Sequence, residues 1–143
     1  MVENYPERYC SVVHDILQPL RFFATLLHMH IRFLGTGGAF NFEKGTASAT
    51  VTIGEKTILI DCGFSTILAL ATQEVAKTID YILITHLHGD HVGSLPTLLP
   101  YYTYVLDRPI PKIIVPTKAF QQELQCFLAT TYEADRAEYI SID

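Results

Sequence analysis

The sequence predicts a layered α/β fold, and two observations lead to that prediction. Two apolar, β-branched segments, 47–53 and 57–60, are separated by the turn-forming Gly54-Glu55-Lys56 and indicate a hairpin. Beyond the hairpin, short apolar strands alternate with helical segments, which is the pattern of a sheet covered by helices. With 143 residues, 49% of them hydrophobic, the chain can form one domain with a substantial core.

The individual elements follow one another in a regular order. A first strand begins at Met29 and runs into Gly35-Thr36-Gly37-Gly38, which predicts a tight turn. Ser65 is the expected N-cap of the first helix. After the hairpin, we expect helices over 65–77, 93–104 and 117–130, and strands over 81–84, over 112–115 and from 139 onward.

The first 28 residues differ in character from the rest of the chain. They contain no strand bounded by turns, and Pro19 interrupts any helix there. We expect residues 1–28 to be an N-terminal extension, either a helical arm or sequence foreign to the native protein. Residues 29–143 would then form the domain.

Charge and cysteine content narrow the class of protein. The net charge of −5 does not favour a basic nucleic-acid groove. Cys10, Cys62 and Cys126 are far apart and form no disulfide framework, which favours a reducing cytoplasm. The most apolar early segment, 16–27, is too short to cross a bilayer. We therefore expect a cytoplasmic protein that does not engage a membrane.

The segment from Thr85 to His91 indicates metal chemistry. It follows an apolar run, so it begins where a buried strand ends. His86 and His88 point the same way in an extended chain and can share one metal ion. Gly89 permits a sharp change of direction, after which Asp90 and His91 can reach a second metal ion. Four ligand-type residues at this density argue against a polar loop with chance histidines, and they suit zinc, manganese or iron.

Asp61 ends the second hairpin strand, before Cys62 and Gly63. A carboxylate in that place can accept a hydrogen bond from the distal nitrogen of a ligand histidine and thereby orient the ring. Taken alone, Asp61 would be read more simply as an ordinary residue at the end of a strand.

Together, these features resemble the metallo-β-lactamase superfamily, and most closely its ribonuclease Z-like phosphodiesterase branch. The resemblance covers about residues 31 to 115. It depends on three segments: Phe33 to Phe40, Ile60 to Gly63, and Thr85 to Leu99.

The resemblance implies a hydrolase with an αββα sandwich, of which this chain supplies little more than the N-terminal half. It also implies two metal ions per complete site, taken as Zn²⁺ with Mn²⁺ or Fe as alternatives. By motif position, His86 and His88 would bind the first metal, and Asp90 and His91 the second. Asp90 would also help to activate the attacking water as the catalytic residue, and Asp61 would orient a ligand.

The chain departs from the family pattern downstream of the motif. The family site needs a further aspartate and two further histidines, but no histidine occurs after His91. The remaining ones, His14, His28 and His30, all precede the hairpin. We therefore expect this chain alone to bind metal weakly.

Three functional hypotheses remain open at this point. In the first, the parent protein is a metal-dependent phosphodiesterase acting on a small-molecule or nucleic-acid phosphodiester. In the second, the chain is a non-catalytic fragment or a half-site that needs a partner, as a homodimer or with a complementing chain. In the third, it belongs to a hydrolase of thioesters or other esters from the same superfamily.

Overall fold

A six-stranded mixed sheet forms the centre of the computed structural model, which describes residues 28–143. The strands lie in the sheet in sequence order. They are β1 (Met29–Gly35), β2 (Ser48–Ile53), β3 (Lys56–Ile60), β4 (Tyr81–Leu83), β5 (Lys112–Val115) and β6 (Tyr139–Ser141). The first three are antiparallel to one another, and β3 to β6 run parallel. The α/β prediction is therefore confirmed.

Four α-helices connect these strands. They are α1 (Thr66–Thr72), α2 (Gly89–Val92), α3 (Leu95–Tyr104) and α4 (Lys118–Leu128). Two short 3-10 helices, Val75–Thr78 and Ala134–Arg136, complete the described elements. Within residues 28–143, no helix combines the length and the apolar character needed to cross a bilayer. Residues 1–27 lie outside the described part of the chain, so the N-terminal extension and the cytoplasmic location stay predictions.

The helices pack on one face of the sheet and form the core there. Where β3, β4 and β5 form this face, their residues are buried because the apolar stripes of the helices cover them. The sheet contributes Leu59, Ile82, Ile113 and Val115, and the helices contribute Leu70, Leu95, Leu98, Leu99, Leu124 and Leu128.

The other face of the sheet is apolar, partly buried at its centre and exposed at both ends. One row of paired residues crosses all six strands on this face: Phe33, Ala49, Ile60, Leu83, Ile114 and Ile140. Phe33 is 69% exposed at one end of the row, and Ile140 is 40% exposed at the other. The neighbouring Met29, Ile31 and Ile53 are exposed as well. We call this surface the open face.

Three of the predicted helices differ from the observed ones at their ends. The helix expected over 65–77 ends at Thr72, because Glu74 adopts a left-handed backbone (φ 55°) before the first 3-10 helix. Ser65 is the N-cap residue of α1 as predicted, although its side chain makes no capping hydrogen bond. The helix expected over 93–104 begins at Leu95, with a proline in its first turn. The helix expected over 117–130 is shorter at both ends, and Thr117 caps it by accepting from the Phe120 N–H.

A charged link fixes the amino ends of β3 and β4. Asp80 accepts hydrogen bonds from Lys56 Nζ at 2.8 Å and from the Thr57 N–H at 2.9 Å. The hydrogen bond from Lys56, followed by that from Thr57, holds the pKa of Asp80 below its ordinary value. Because the folded-state pKa is lowered, the stabilisation is present above the ordinary carboxyl pKa and is lost as the pH falls through the folded-state value.

We expect Asp80→Asn to lower the free energy of unfolding at pH 7 by about 1 kcal/mol, since one charge-assisted contact becomes a neutral one. The difference from the wild type should begin to shrink below about pH 4, the ordinary carboxyl pKa, and should go on shrinking as the pH falls through the lower folded-state pKa. Urea unfolding at pH 7 and pH 3 measures both effects. Glu123→Gln, on the exposed surface of α4, is the matched control, and an equal loss in that variant would contradict the prediction.

Candidate functional site

The predicted site residues meet at the edge of the sheet where the parallel strands β3 and β4 end. Asp61 follows β3, and its N–H donates to the carbonyl of Leu83 at 2.9 Å. The neighbouring Cys62 N–H donates to the carbonyl of His91 at 2.7 Å. These backbone bonds join residues that are 22 and 29 positions apart and bring the aspartate to the histidine motif.

The Asp61 carboxylate is buried and accepts hydrogen bonds from two residues of the motif. Oδ1 accepts from the Thr85 N–H at 2.9 Å, and Thr85 Oγ1 lies 2.8 Å from Oδ2. Oδ2 is also 2.8 Å from Nδ1 of His91. An ionised carboxylate can only accept, so Nδ1 of His91 donates and its Nε2 keeps a free lone pair. The predicted hydrogen bond from a motif histidine to the Asp61 carboxylate is therefore present.

Thr85 orients a second histidine, His86, through a hydrogen bond with its Nδ1. Its single hydroxyl proton is directed at the Asp61 carboxylate, so Oγ1 is free to accept. Nδ1 of His86 lies 3.0 Å from that oxygen and can donate to it. His86 then also has its lone pair on Nε2. A role for Thr85 could not be predicted from the sequence, because a hydroxyl next to a histidine is too common a pattern to indicate one.

The structure brings the four predicted metal ligands together. The ring centroid of His86 is 4.7 Å from that of His88 and 3.9 Å from that of His91. Nε2 of His91 lies 3.3 Å from Oδ2 of Asp90. Three imidazoles and one carboxylate thus share one small region at the edge of the sheet.

This donor set fits a divalent metal in kind, though its geometry is not that of a closed site. Nε2 lone pairs and a carboxylate are ligands that zinc accepts. Across residues 28–143, however, no group of three or more His, Cys, Asp or Glu side chains is arranged to hold a metal ion. His86 and His88 supply two donors where a catalytic zinc site usually has three from the protein.

Close backbone contacts hold the turn after Asp61 against the motif. A Cβ atom on Gly63 would lie 1.9 Å from the carbonyl oxygen of Asp90, so only glycine fits there. The buried Ser94 donates its hydroxyl to the carbonyls of Gly63 and Phe64. The position of Asp90 therefore depends on the packing of this turn as well as on its own helix.

Cys62 belongs to the hydrophobic core. Its side chain is fully buried, and burial followed by the charge of Asp61 raises the pKa of the thiol. A thiol kept protonated is a poor nucleophile.

A cavity of about 470 Å³ lies elsewhere in the molecule. It is lined by Thr103, Asp107, Arg108, Pro109, Ile110, Arg136 and Glu138, near the amino ends of β5 and β6. None of the motif residues lines it, so the chemistry is assigned from the residues at the sheet edge and not from cavity size.

Comparison with known proteins gives one family and one fold. A sequence profile of the family described as "Anti-Pycsar protein Apyc1" matches residues 29–143. A protein with the same description from Paenibacillus sp. (strain J14) is 46% identical over 71 residues. That match covers 49% of this chain and 29% of the relative.

Solved structures show the same relationship. The metallo-β-lactamase fold protein YhfI from Bacillus subtilis aligns with a TM-score of 0.63 and 22% identity, covering 80% of this chain and 46% of that one. The short form of human tRNase Z aligns with a TM-score of 0.58 and 32% identity, covering 78% and 42%. The predicted metallo-β-lactamase fold and the ribonuclease Z-like relationship are confirmed, and the chain spans less than half the length of each of these proteins.

Gly63→Ala should destabilise the protein by roughly 1–3 kcal/mol, because the added methyl group forces the 61–65 turn away from the motif. Gly38→Ala is the matched control, since a Cβ there has no neighbour within 4 Å. Urea unfolding of both variants measures the difference. Equal stability of the two variants would show that the close approach at Gly63 is not constraining.

The tautomer of His91 offers a second test. We expect the neutral ring to carry its proton on Nδ1, because the Asp61 carboxylate can only accept. In Asp61→Asn, Oδ1 still accepts from Thr85, so the amide nitrogen faces His91 and the proton should move to Nε2. Long-range ¹H–¹⁵N correlation spectra above pH 8 read the tautomer directly, with the exposed His30 of β1 as internal reference. A wild-type signal of the Nε2–H form would contradict the assignment.

Proposed function

Since this chain belongs to the Apyc1 family of anti-Pycsar proteins, we propose that it supplies one half of the active site of a metal-dependent phosphodiesterase that cleaves cyclic nucleotides. The proposal rests on one observation above all, the meeting of His86, His88, Asp90 and His91 beside Asp61 at the edge of the sheet. The similarity to a tRNase Z supports a phosphodiester as the bond that is cleaved.

The histidines and Asp90 would hold two metal ions, as two pairs of donors. His86 and His88 are the pair for the first ion, and Asp90 and His91 the pair for the second. Zn²⁺ suits these ligands, with Mn²⁺ or Fe as alternatives. Metal bound there would supply Lewis-acid activation of water and of a phosphoryl oxygen. Asp61 and Thr85 keep Nε2 of His91 and His86 unprotonated, and so keep both rings able to bind.

Asp90 is the residue of this chain best placed to move a proton. Its side chain is 17% exposed, and Oδ2 is on the side of His91 Nε2. As a general base, it would take a proton from the attacking water. The oxygen of that water then forms a bond to phosphorus, one P–O ester bond breaks, and the departing oxygen takes up a proton.

The open face supports the proposal that a second layer of structure completes the site. The apolar row crosses six strands and is exposed at both ends, and exposed apolar surface of this kind favours association with a partner surface. An αββα sandwich covers such a face with a second sheet. That sheet would come from further residues of the same polypeptide or from a second chain, and it would carry the missing ligands.

A half-site without independent catalysis is the second candidate, and the absence of a three-donor group within residues 28–143 favours it for the chain on its own. Both candidates predict the same metal ligands. They differ in whether hydrolysis is seen before a second layer is supplied.

Metal content of the purified 143-residue chain is the first test. After dialysis against micromolar chelator, elemental analysis should give well under one metal per chain. Zinc titration should nevertheless show weak, saturable binding, and His86→Ala should weaken it at least about tenfold, since even the loss of an orienting partner has an effect of that size. His30→Ala, on an exposed part of β1, should leave it unchanged.

Two other outcomes are informative. Zinc binding that is equal in the wild type and in His86→Ala would overturn the ligand assignment. About two metals per chain, together with a dimeric mass and hydrolysis of a cyclic nucleotide that His86→Ala abolishes, would show that a second copy completes the site.

A further inference from the structure

The ring of Phe64 packs against two glycines, Gly89 and Gly93. Phe64 follows Gly63 in the turn after Asp61, and its ring rests on α2 and the residue after it. A Cβ on Gly89 would lie 2.3 Å from Phe64 Cζ, and one on Gly93 would lie 2.4 Å from Cδ1. Gly89 and Gly93 are four residues apart and therefore share one side of the helix. Any side chain at either position would displace the ring.

The backbone at Phe64 is fixed by hydrogen bonds, whereas its side chain is exposed to solvent. The carbonyl of Phe64 accepts from the buried Ser94 hydroxyl at 3.0 Å, and the adjacent Gly63 carbonyl accepts from the same group. The residue is nevertheless 57% exposed. An aromatic ring that is already fixed loses little conformational entropy when a flat partner stacks on it.

One of the two glycines that the ring contacts, Gly89, lies within the histidine motif. Gly89 separates His88 from Asp90, so the ring borders the turn that carries two of the proposed ligands. Other exposed aromatic side chains, such as Tyr132 at 78% exposure, are not seated on this turn. The arrangement places one rigid aromatic surface beside the proposed reaction centre.

We propose that Phe64 is a substrate-contacting residue, and that its exposed face stacks on the base of a nucleotide whose phosphodiester group is at the histidine motif. This inference rests on the proposed function and names the part of the substrate that the chain recognises. Aromatic side chains stack on nucleobases through their faces. Phe64 would thus act in substrate binding, and the histidines and Asp90 in bond cleavage.

The test measures binding of adenosine 3′,5′-cyclic monophosphate to the full chain with added zinc, by ligand-detected saturation-transfer NMR. Saturation should reach the base protons more strongly than the ribose protons. Phe64→Leu keeps an apolar side chain but removes the ring face, and it should weaken binding about tenfold. Phe64→Tyr should bind within about twofold of the wild type, because the ring face is kept. Tyr132→Leu is the matched control and should have no effect.

A base-free ligand separates stacking from a structural role. Binding of glycerol 1,2-cyclic phosphate should be equal in the wild type and in Phe64→Leu. If that substitution weakens both ligands to the same extent, Phe64 only supports the turn and the inference is wrong. Failure of the cyclic nucleotide to bind at all would overturn it too.

The two proposals can fail separately. Hydrolysis that depends on His86 but not on Phe64 would remove this inference and leave the proposed function standing. Nucleotide binding that depends on Phe64, with zinc binding unaffected by His86→Ala, would overturn the proposed metal ligands and leave only the stacking contact standing.

Discussion

The buried carboxylate of Asp61 is the interaction on which the rest of the site depends. A charged group that is only 5% exposed is costly unless hydrogen bonds satisfy it. Thr85 and His91 supply those hydrogen bonds. They also hold Asp61 in a left-handed backbone conformation (φ 58°) that a non-glycine residue seldom adopts. One side chain thereby joins the ends of β3 and β4 to α2 and fixes the direction of two imidazole rings.

The two faces of the sheet explain why this site is at an edge. Helices cover one face where β3, β4 and β5 form it, and the turns that carry the predicted ligands emerge where the parallel strands end. The open face carries an apolar row from Phe33 to Ile140. A second layer placed there would meet the first at the same edge, and its turns would lie opposite His86 and Asp90. The shape of the sheet and the incomplete ligand set therefore point to the same proposed architecture.

Local signals in the sequence predicted the strands well, and the four residues they singled out as ligands lie close together. Strand β5 was predicted residue for residue, because a short apolar run bounded by proline leaves few alternatives. The end of α1 could not be predicted in this way. The 3-10 helix that follows it is held by a long-range contact, in which the buried hydroxyl of Tyr102 donates to the carbonyl of Ala76. The sequence likewise indicated that Asp61 would orient a histidine, but not which one, since His91 lies 30 positions away.

The glycines of the motif illustrate a further limit of sequence patterns. Gly89 was expected to allow a sharp turn through its backbone freedom. Within residues 28–143, the glycines with positive φ are Gly45 and Gly54, and neither Gly63 nor Gly89 is among them. What these positions require is space, since any Cβ there would meet the Asp90 carbonyl or the Phe64 ring. The contacts at Gly63 and Gly89 therefore set how closely the 61–65 turn approaches the histidine motif, where the Phe64 ring lies and where Asp90 lies. Because these three properties share one set of contacts, a substitution at either glycine should alter substrate binding and ligand geometry together, not one without the other.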